Sequence, residues 1–263
     1  MNKKRFLYWI TSITIALCLI VYIWVSNDEA YWLYTLLVVL LVFPNFTFKK
    51  MEKQKLMQII IHYSQTGSVN EYLQQLKEYD RNMIKTNRVK YYQRITYAQA
   101  YMDKGSFTKA KEILDNLTEP AEKFNPLTKF LYYRAWINYF LNFGQVKEAK
   151  ELLDQLKIMV EVSHASLQQQ FIINYQLLLA KYNIRCDILL AETRATLNQV
   201  IDANPTPLMM ASSSYYIGIV EYKLGKLAEA KKIFTEVASF NEQLHFVRKA
   251  KEYLIKIKET STN

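Results

Sequence analysis

The chain has 263 residues, of which 34 are basic and 24 acidic, giving a formal net charge of +10 at pH 7, and 51% of them are hydrophobic. Its two cysteines, Cys18 and Cys186, exclude a disulfide framework as a stabilising device. Its five glycines leave no room for a GxxxxGK phosphate loop and no GxSxG elbow occurs, which excludes those types of nucleotide and acyl hydrolysis.

The chain begins with two apolar runs. From Phe6 to Asn27 there are 22 residues without a charge and from Ala30 to Phe48 there are 19, separated by Asp28 and Glu29. At ~1.5 Å per residue, each run is about long enough to cross ~30 Å of hydrocarbon. The first run holds eleven Leu, Ile, Val and Phe residues, and roughly 0.3 to 0.6 kcal/mol for each favours insertion. Aromatic residues such as Tyr8, Trp9, Tyr31 and Trp32 lie toward the ends of the runs, where such rings settle at the membrane interface. Lys3, Lys4 and Arg5 precede the first run, while Lys49, Lys50, Lys53 and Lys55 follow the second. Because basic flanks stay on the cytoplasmic side, residues 1–48 are expected to form a transmembrane hairpin with spans at about 6–26 and 30–47. The expected location is the cell membrane, with both termini cytoplasmic and the lipid bilayer as a partner. Cleavage is not expected, since Ile23-Trp24-Val25-Ser26 lacks a small-x-small site. Leu17 also stands before Cys18 where a bacterial lipoprotein site needs glycine or alanine.

Residues 49–263 are organised by glycine. Gly67, Gly105, Gly144 and Gly225 are separated by 38, 39 and 81 residues, and the last gap is twice about 40. Each follows an apolar, aromatic helical stretch and precedes a second amphipathic one, as in AYMDKGSFTKAKEIL and YFLNFGQVKEAKELL. Glycine suits the left-handed backbone that ends one helix and admits the next. A helix-turn-helix unit at this period predicts an all-α solenoid. The missing turn falls near Ile184 to Asp187, between QFIINYQLLLAKY and ILLAETRATLNQVI. In NLTEPAEKFNPLT, Pro120 and Pro126 stop and restart helices. From Phe246 to Glu259, Val247, Ala250, Leu254 and Ile257 share one face, which reads as a C-terminal capping helix with a wet opposite side.

Around the glycines, a small residue follows by five, a large apolar residue by nine, and an aromatic precedes by about four. The sets are Tyr101, Ala110 and Leu114; Phe140, Ala149 and Leu153; and Ala230 and Phe234, with Gly218 where paired helices touch. Over roughly residues 53 to 244 the chain thereby resembles the tetratricopeptide repeat family. It departs from the pattern at Glu221, where tyrosine is usual, and at Tyr72, where alanine is usual. The resemblance implies a TPR-like α-solenoid of about five helix-turn-helix repeats with a capping helix, binding a protein or peptide in its concave groove. Inner positions projected from the family are Ile95 and Gln99, then Arg134, Ala135, Asn138 and Leu141, then Tyr215, Tyr216 and Tyr222. The glycine-less repeat would supply about Tyr175, Gln176 and Tyr182. The candidate groove residues are therefore Gln99, Arg134, Asn138, Tyr175, Tyr215, Tyr216 and Tyr222. Arg134 and Asn138, four apart on one helix face, could together hold a peptide carboxylate and its backbone.

Setting aside Lys3, Lys4, Arg5, Asp28 and Glu29 leaves 31 basic and 22 acidic residues, a balance of +9. That surplus fits a solvated basic surface beside an anionic inner leaflet, or a groove that selects acidic peptides. Nucleic acid is not expected, because the basic residues are interspersed with Glu and Asp and no reading motif occurs. His62, His164 and His245 are far apart and no pair has metal-ligand spacing, so neither a metal, a cofactor nor an enzymatic role is expected. The expected function is that of a membrane-anchored scaffold or adaptor. The alternatives are a structural subunit of a larger membrane complex and a peptide-sensing regulatory protein.

Overall fold

The computed structural model describes residues 3–26, 50–51, 54–82, 87–118, 120–203 and 206–260. These are all-helical and contain no strand among the described residues. By its contacts the chain divides into two units, Met1–Ile61 with Gln75–Ile84, and His62–Gln74 with Lys85–Asn263.

In the smaller unit, helix α1 (Lys3–Ser26) carries the first apolar run. Ile13, Leu17, Val21 and Val25 on it are exposed. Among the described residues, no helix is long and apolar enough to cross a membrane. The side chains at 3–9 and at Ile23, Trp24 and Ser26, and all of the second apolar run, lie outside the described residues. Helix α2 covers 54–66 and α3 Val69–Asn82; of these, His62–Gln74, with the turn at Gly67, belongs to the larger unit.

The larger unit contains α4 (Asn87–Asp103), α5 (Phe107–Asp115), α6 (Pro126–Phe143), α7 (Val146–Glu161), α8 (Ala165–Cys186), α9 (Leu190–Ala203), α10 (Pro207–Lys223), α11 (Leu227–Ala238) and α12 (His245–Thr260). The pairs α4–α5, α6–α7, α8–α9 and α10–α11 pack as helical hairpins. The first helix of each pair also packs on the first helix of the next, and α12 packs on α10, α11 and α4.

Local chemistry explains the breaks. Gly67, Gly105, Gly144 and Gly225 all have positive φ, between 63° and 82°, a conformation that costs a residue with a Cβ about 1 kcal/mol. The fourth hairpin turn lies where the glycine spacing places it, but it is made by Asp187 and Leu189 at φ 57° and 48°. Asn125 caps α6 by accepting from the backbone N–H of Thr128 at 3.0 Å, with Pro126 in the first turn. Thr206 caps α10 by accepting from the N–H of Met209 at 3.3 Å, with Pro207 behind it. Each cap satisfies a donor the helix cannot use itself.

The small residues five past each turn are fully buried: Ala110, Ala149 and Ala230. Thr193 holds the corresponding place in α9, where it is buried and accepts a hydrogen bond from Asn183 at 3.1 Å. The large residues nine past the turns, Leu114, Leu153 and Phe234, fill the core between paired helices. Phe130 and Phe171 stack with centroids 4.0 Å apart at the α6–α8 contact, worth about 0.5–1.5 kcal/mol beyond burial. Gly218 permits close contact of α10 with α11, because a Cβ there would stand 2.7 Å from the Phe234 ring. Glu221 is fully buried and forms an ion pair with Arg194 of α9, with Lys226 at 3.7 Å. A carboxylate tolerates this burial because cations compensate it.

Candidate binding cavity

Helices α4, α6, α8, α10 and α12 each turn one face toward a common cavity of about 570 Å³. It lies inside the larger unit because α12 returns to the first hairpins. Arg248 of α12 donates to the Lys104 carbonyl at 2.6 Å. The Asn241 amide donates to the Thr66 carbonyl at 3.2 Å, and the backbone N–H of Asn70 donates to Gln243 Oε1 at 3.0 Å. The Phe107 and His245 rings meet edge to face at 5.1 Å.

Of the groove residues expected from sequence, Gln99, Arg134, Asn138, Tyr215 and Tyr216 line this cavity, as does Leu141. Ile95 and Ala135 are instead fully buried in the packing of α4, α5 and α6. Tyr175 and Tyr182 pack on the core around Phe130 and Phe171. Tyr222 sets its ring against Tyr253 at 5.1 Å, and Tyr253 takes the place on the lining. In α8 the lining includes Asn174 and Lys181, one position before the projected Tyr175 and Tyr182, together with Leu177 and Leu178. No glycine marks the end of α8, and a one-residue slip rotates a helical side chain by about 100°.

Two cross-links tie α6 to α8 in opposite directions. Arg134 Nη1 donates to Asn174 Oδ1 at 2.8 Å, and Lys181 Nζ donates to Asn138 Oδ1 at 2.9 Å. Each asparagine is itself fixed, since its amide nitrogen donates to the carbonyl one turn back, Gln170 for Asn174 and Arg134 for Asn138. The amides are thereby oriented with their oxygens toward the cations. Lys181 also stands over the Tyr216 ring, 4.9 Å from its centroid, a cation–π contact.

Two carboxylates, Asp103 and Asp187, also line the cavity. Asp103 accepts from Tyr63 Oη at 2.8 Å and from Gln99 Nε2 at 3.0 Å, while Asp187 pairs with Lys223. Burial, helped by the charge on Arg134, lowers the Lys181 ammonium to about 8, with Asp103 opposing. Tyr215 and Tyr216 are held in the neutral form by burial, which raises both well above the usual range. Tyr63 is raised too, by burial and then by Asp103.

Sequence reasoning did not single out Lys181, Asn174 or Asp103. The signal for two of them was the repeat period, since Arg134 and Asn174 are separated by 40 residues, as are Tyr63 and Asp103.

No family model, no curated protein and no solved structure matches the chain. The likeness to tetratricopeptide repeats therefore stands on the residues quoted from the sequence. Among the described residues, no group of three or more His, Cys, Asp or Glu could hold a metal ion.

Proposed function

We propose that the chain is a membrane-anchored, TPR-like helical-repeat scaffold that receives a protein or peptide segment in the interior lined by α4, α6, α8, α10 and α12. The reading is carried by one observation: five of the seven groove residues projected from the repeat pattern share one cavity. Further support comes from the four left-handed glycine turns and from polar links between successive first helices at separations of 40 to 43 residues. The two uncharged runs and their basic flanks support an N-terminal membrane hairpin with the repeats on the cytoplasmic side. Recognition of this kind proceeds without covalent chemistry, through shape, hydrogen bonds and the cavity's positive balance.

The test is site-specific photocrosslinking in cells. A photoreactive residue at Ser212, which lines the cavity, should capture a partner that one at Lys147, exposed on α7, does not. Equal capture from both positions rejects interior recognition. Digestion of a tag at Asn263 by protease added to intact cells would place the repeats outside the cytoplasm.

A further inference from the structure

Arg134 and Lys181 stand in one cavity, and among the described residues neither is joined to a carboxylate by a direct ion pair. The hydrogen bonds of both cations go to neutral asparagine oxygens. Asp103, whose charge acts on Lys181 across the cavity, directs its two oxygens to Tyr63 and Gln99. Burial first, and the charge of Arg134 second, make the Lys181 ammonium costly to hold in this partly dry cavity. A purely structural site would be more stable with apolar residues or with one cation exchanged for an acid. Here the opposite is found, because two asparagines are anchored so that both cations are held in position in the cavity before anything binds. Such pre-set donors favour an anion that can accept from both at once.

We propose that Arg134 and Lys181 form the binding site for the dianionic group of a small molecule, a phosphate monoester or a dicarboxylate, held inside the cavity. The return of α12 onto α4 limits the space to about 570 Å³, the scale of a single small ligand. Tyr216, Tyr215 and Phe246 supply aromatic walls for an attached apolar or planar body. This goes beyond the scaffold reading: it keeps the same interior but assigns it a small ligand in place of a peptide segment.

The experiment is calorimetric titration of the full-length protein in detergent with phenyl phosphate, using benzoate and phenol as singly charged and neutral probes. Saturable binding of phenyl phosphate is expected, with benzoate at least about tenfold weaker and phenol absent. R134Q and K181Q should each weaken phenyl phosphate by about tenfold or more, the loss of one charge-assisted contact. K181R, which keeps the charge, should bind within a few-fold of the native protein. Thermal melting of each variant without ligand separates loss of binding from loss of folding. Absence of saturable binding, or binding that R134Q and K181Q leave unchanged while folded, overturns the proposal. A peptide ending in two aspartates that binds more tightly than phenyl phosphate, and is weakened by the same variants, would transfer the site to a chain terminus. That result also overturns the small-molecule assignment. Partner capture at Ser212 with no anion binding would sink this inference alone. Anion binding with no capture at Ser212 would sink the scaffold reading alone.

Discussion

The guanidinium of Arg248 donates to the carbonyl oxygen of Lys104, joining residues 144 positions apart in sequence. The same group donates to the carbonyls of Glu242 and Gln243 at 3.1 and 2.8 Å, so it also fixes the approach to α12. One side chain thus links the end of α4 to the start of the last helix, at the seam that closes the cavity.

R248Q is expected to lower stability by about 1 kcal/mol, because these bonds are exposed to water and each contributes little net. Hydrogen exchange checks this. Amides of 241–248 should exchange faster in the variant, while those of Leu153 and Leu156 in the α7 core keep their native rates. Unchanged exchange over 241–248 would remove Arg248 from any role in closure.

Two glycine turns with the same backbone conformation should respond unequally to alanine. Gly67 has φ 63°, and a Cβ there would stand 2.7 Å from Phe240 Cε1 and 2.8 Å from Leu244 Cδ1. Gly225 has φ 76° and nothing within 4 Å of that position. G225A should cost only the left-handed strain, about 1 kcal/mol, whereas G67A adds overpacking of about 1–3 kcal/mol. Urea midpoints for the pair provide the measurement, and equal losses would mean that the connection between α11 and α12 does not press on the Gly67 turn.

The glycine-less turn offers the reverse substitution. Leu189 has φ 48° and is exposed, so L189G should raise stability by about 1 kcal/mol through relief of strain. D187G should gain less, since aspartate tolerates this conformation better and the change removes the pair with Lys223. A melting temperature for L189G at or below the native value would contradict the assigned turn.

His245 should make stability fall on mild acidification. It packs on Phe107 of α5, with Lys249, Arg248 and Glu252 around it on α12, and burial followed by Lys249 and Arg248 holds its imidazole below the usual range. Between the ordinary histidine value of about 6.5 and the lower folded value, the unfolded chain binds a proton that the folded protein does not. The stability linked to this group is therefore present above about pH 6.5 and lost as pH falls through that window. H245Q should flatten the dependence of the urea midpoint on pH below 6.5, and an unchanged slope would assign the acid sensitivity to other groups.

Much of the helical framework was legible in one dimension because its signals are local. A glycine at the left-handed position, an alanine five residues on and a leucine nine on report the helix end, the close contact and the core. Gly144, Ala149 and Leu153 show all three. The cavity was less legible. Arg134 and Asn138 could be projected because Gly144 sets their register, whereas Lys181 and Asn174 could not, since Asp187 and Leu189 make their turn without glycine.

The amino-acid sequence by itself determined the helical hairpins, their turns and, where a turn glycine is present, part of the inward face, with Ile95, Ala135 and Tyr222 as the exceptions. Those features follow from backbone sterics and from burial repeated at a short, fixed spacing. Only the tertiary structure decided that α12 packs on α4, that the interior is a cavity, and that Arg134 and Lys181 meet in it with their hydrogen bonds on asparagines. Those outcomes depend on contacts across 40 to 175 residues, and no local pattern encodes where a succession of hairpins returns to its own beginning.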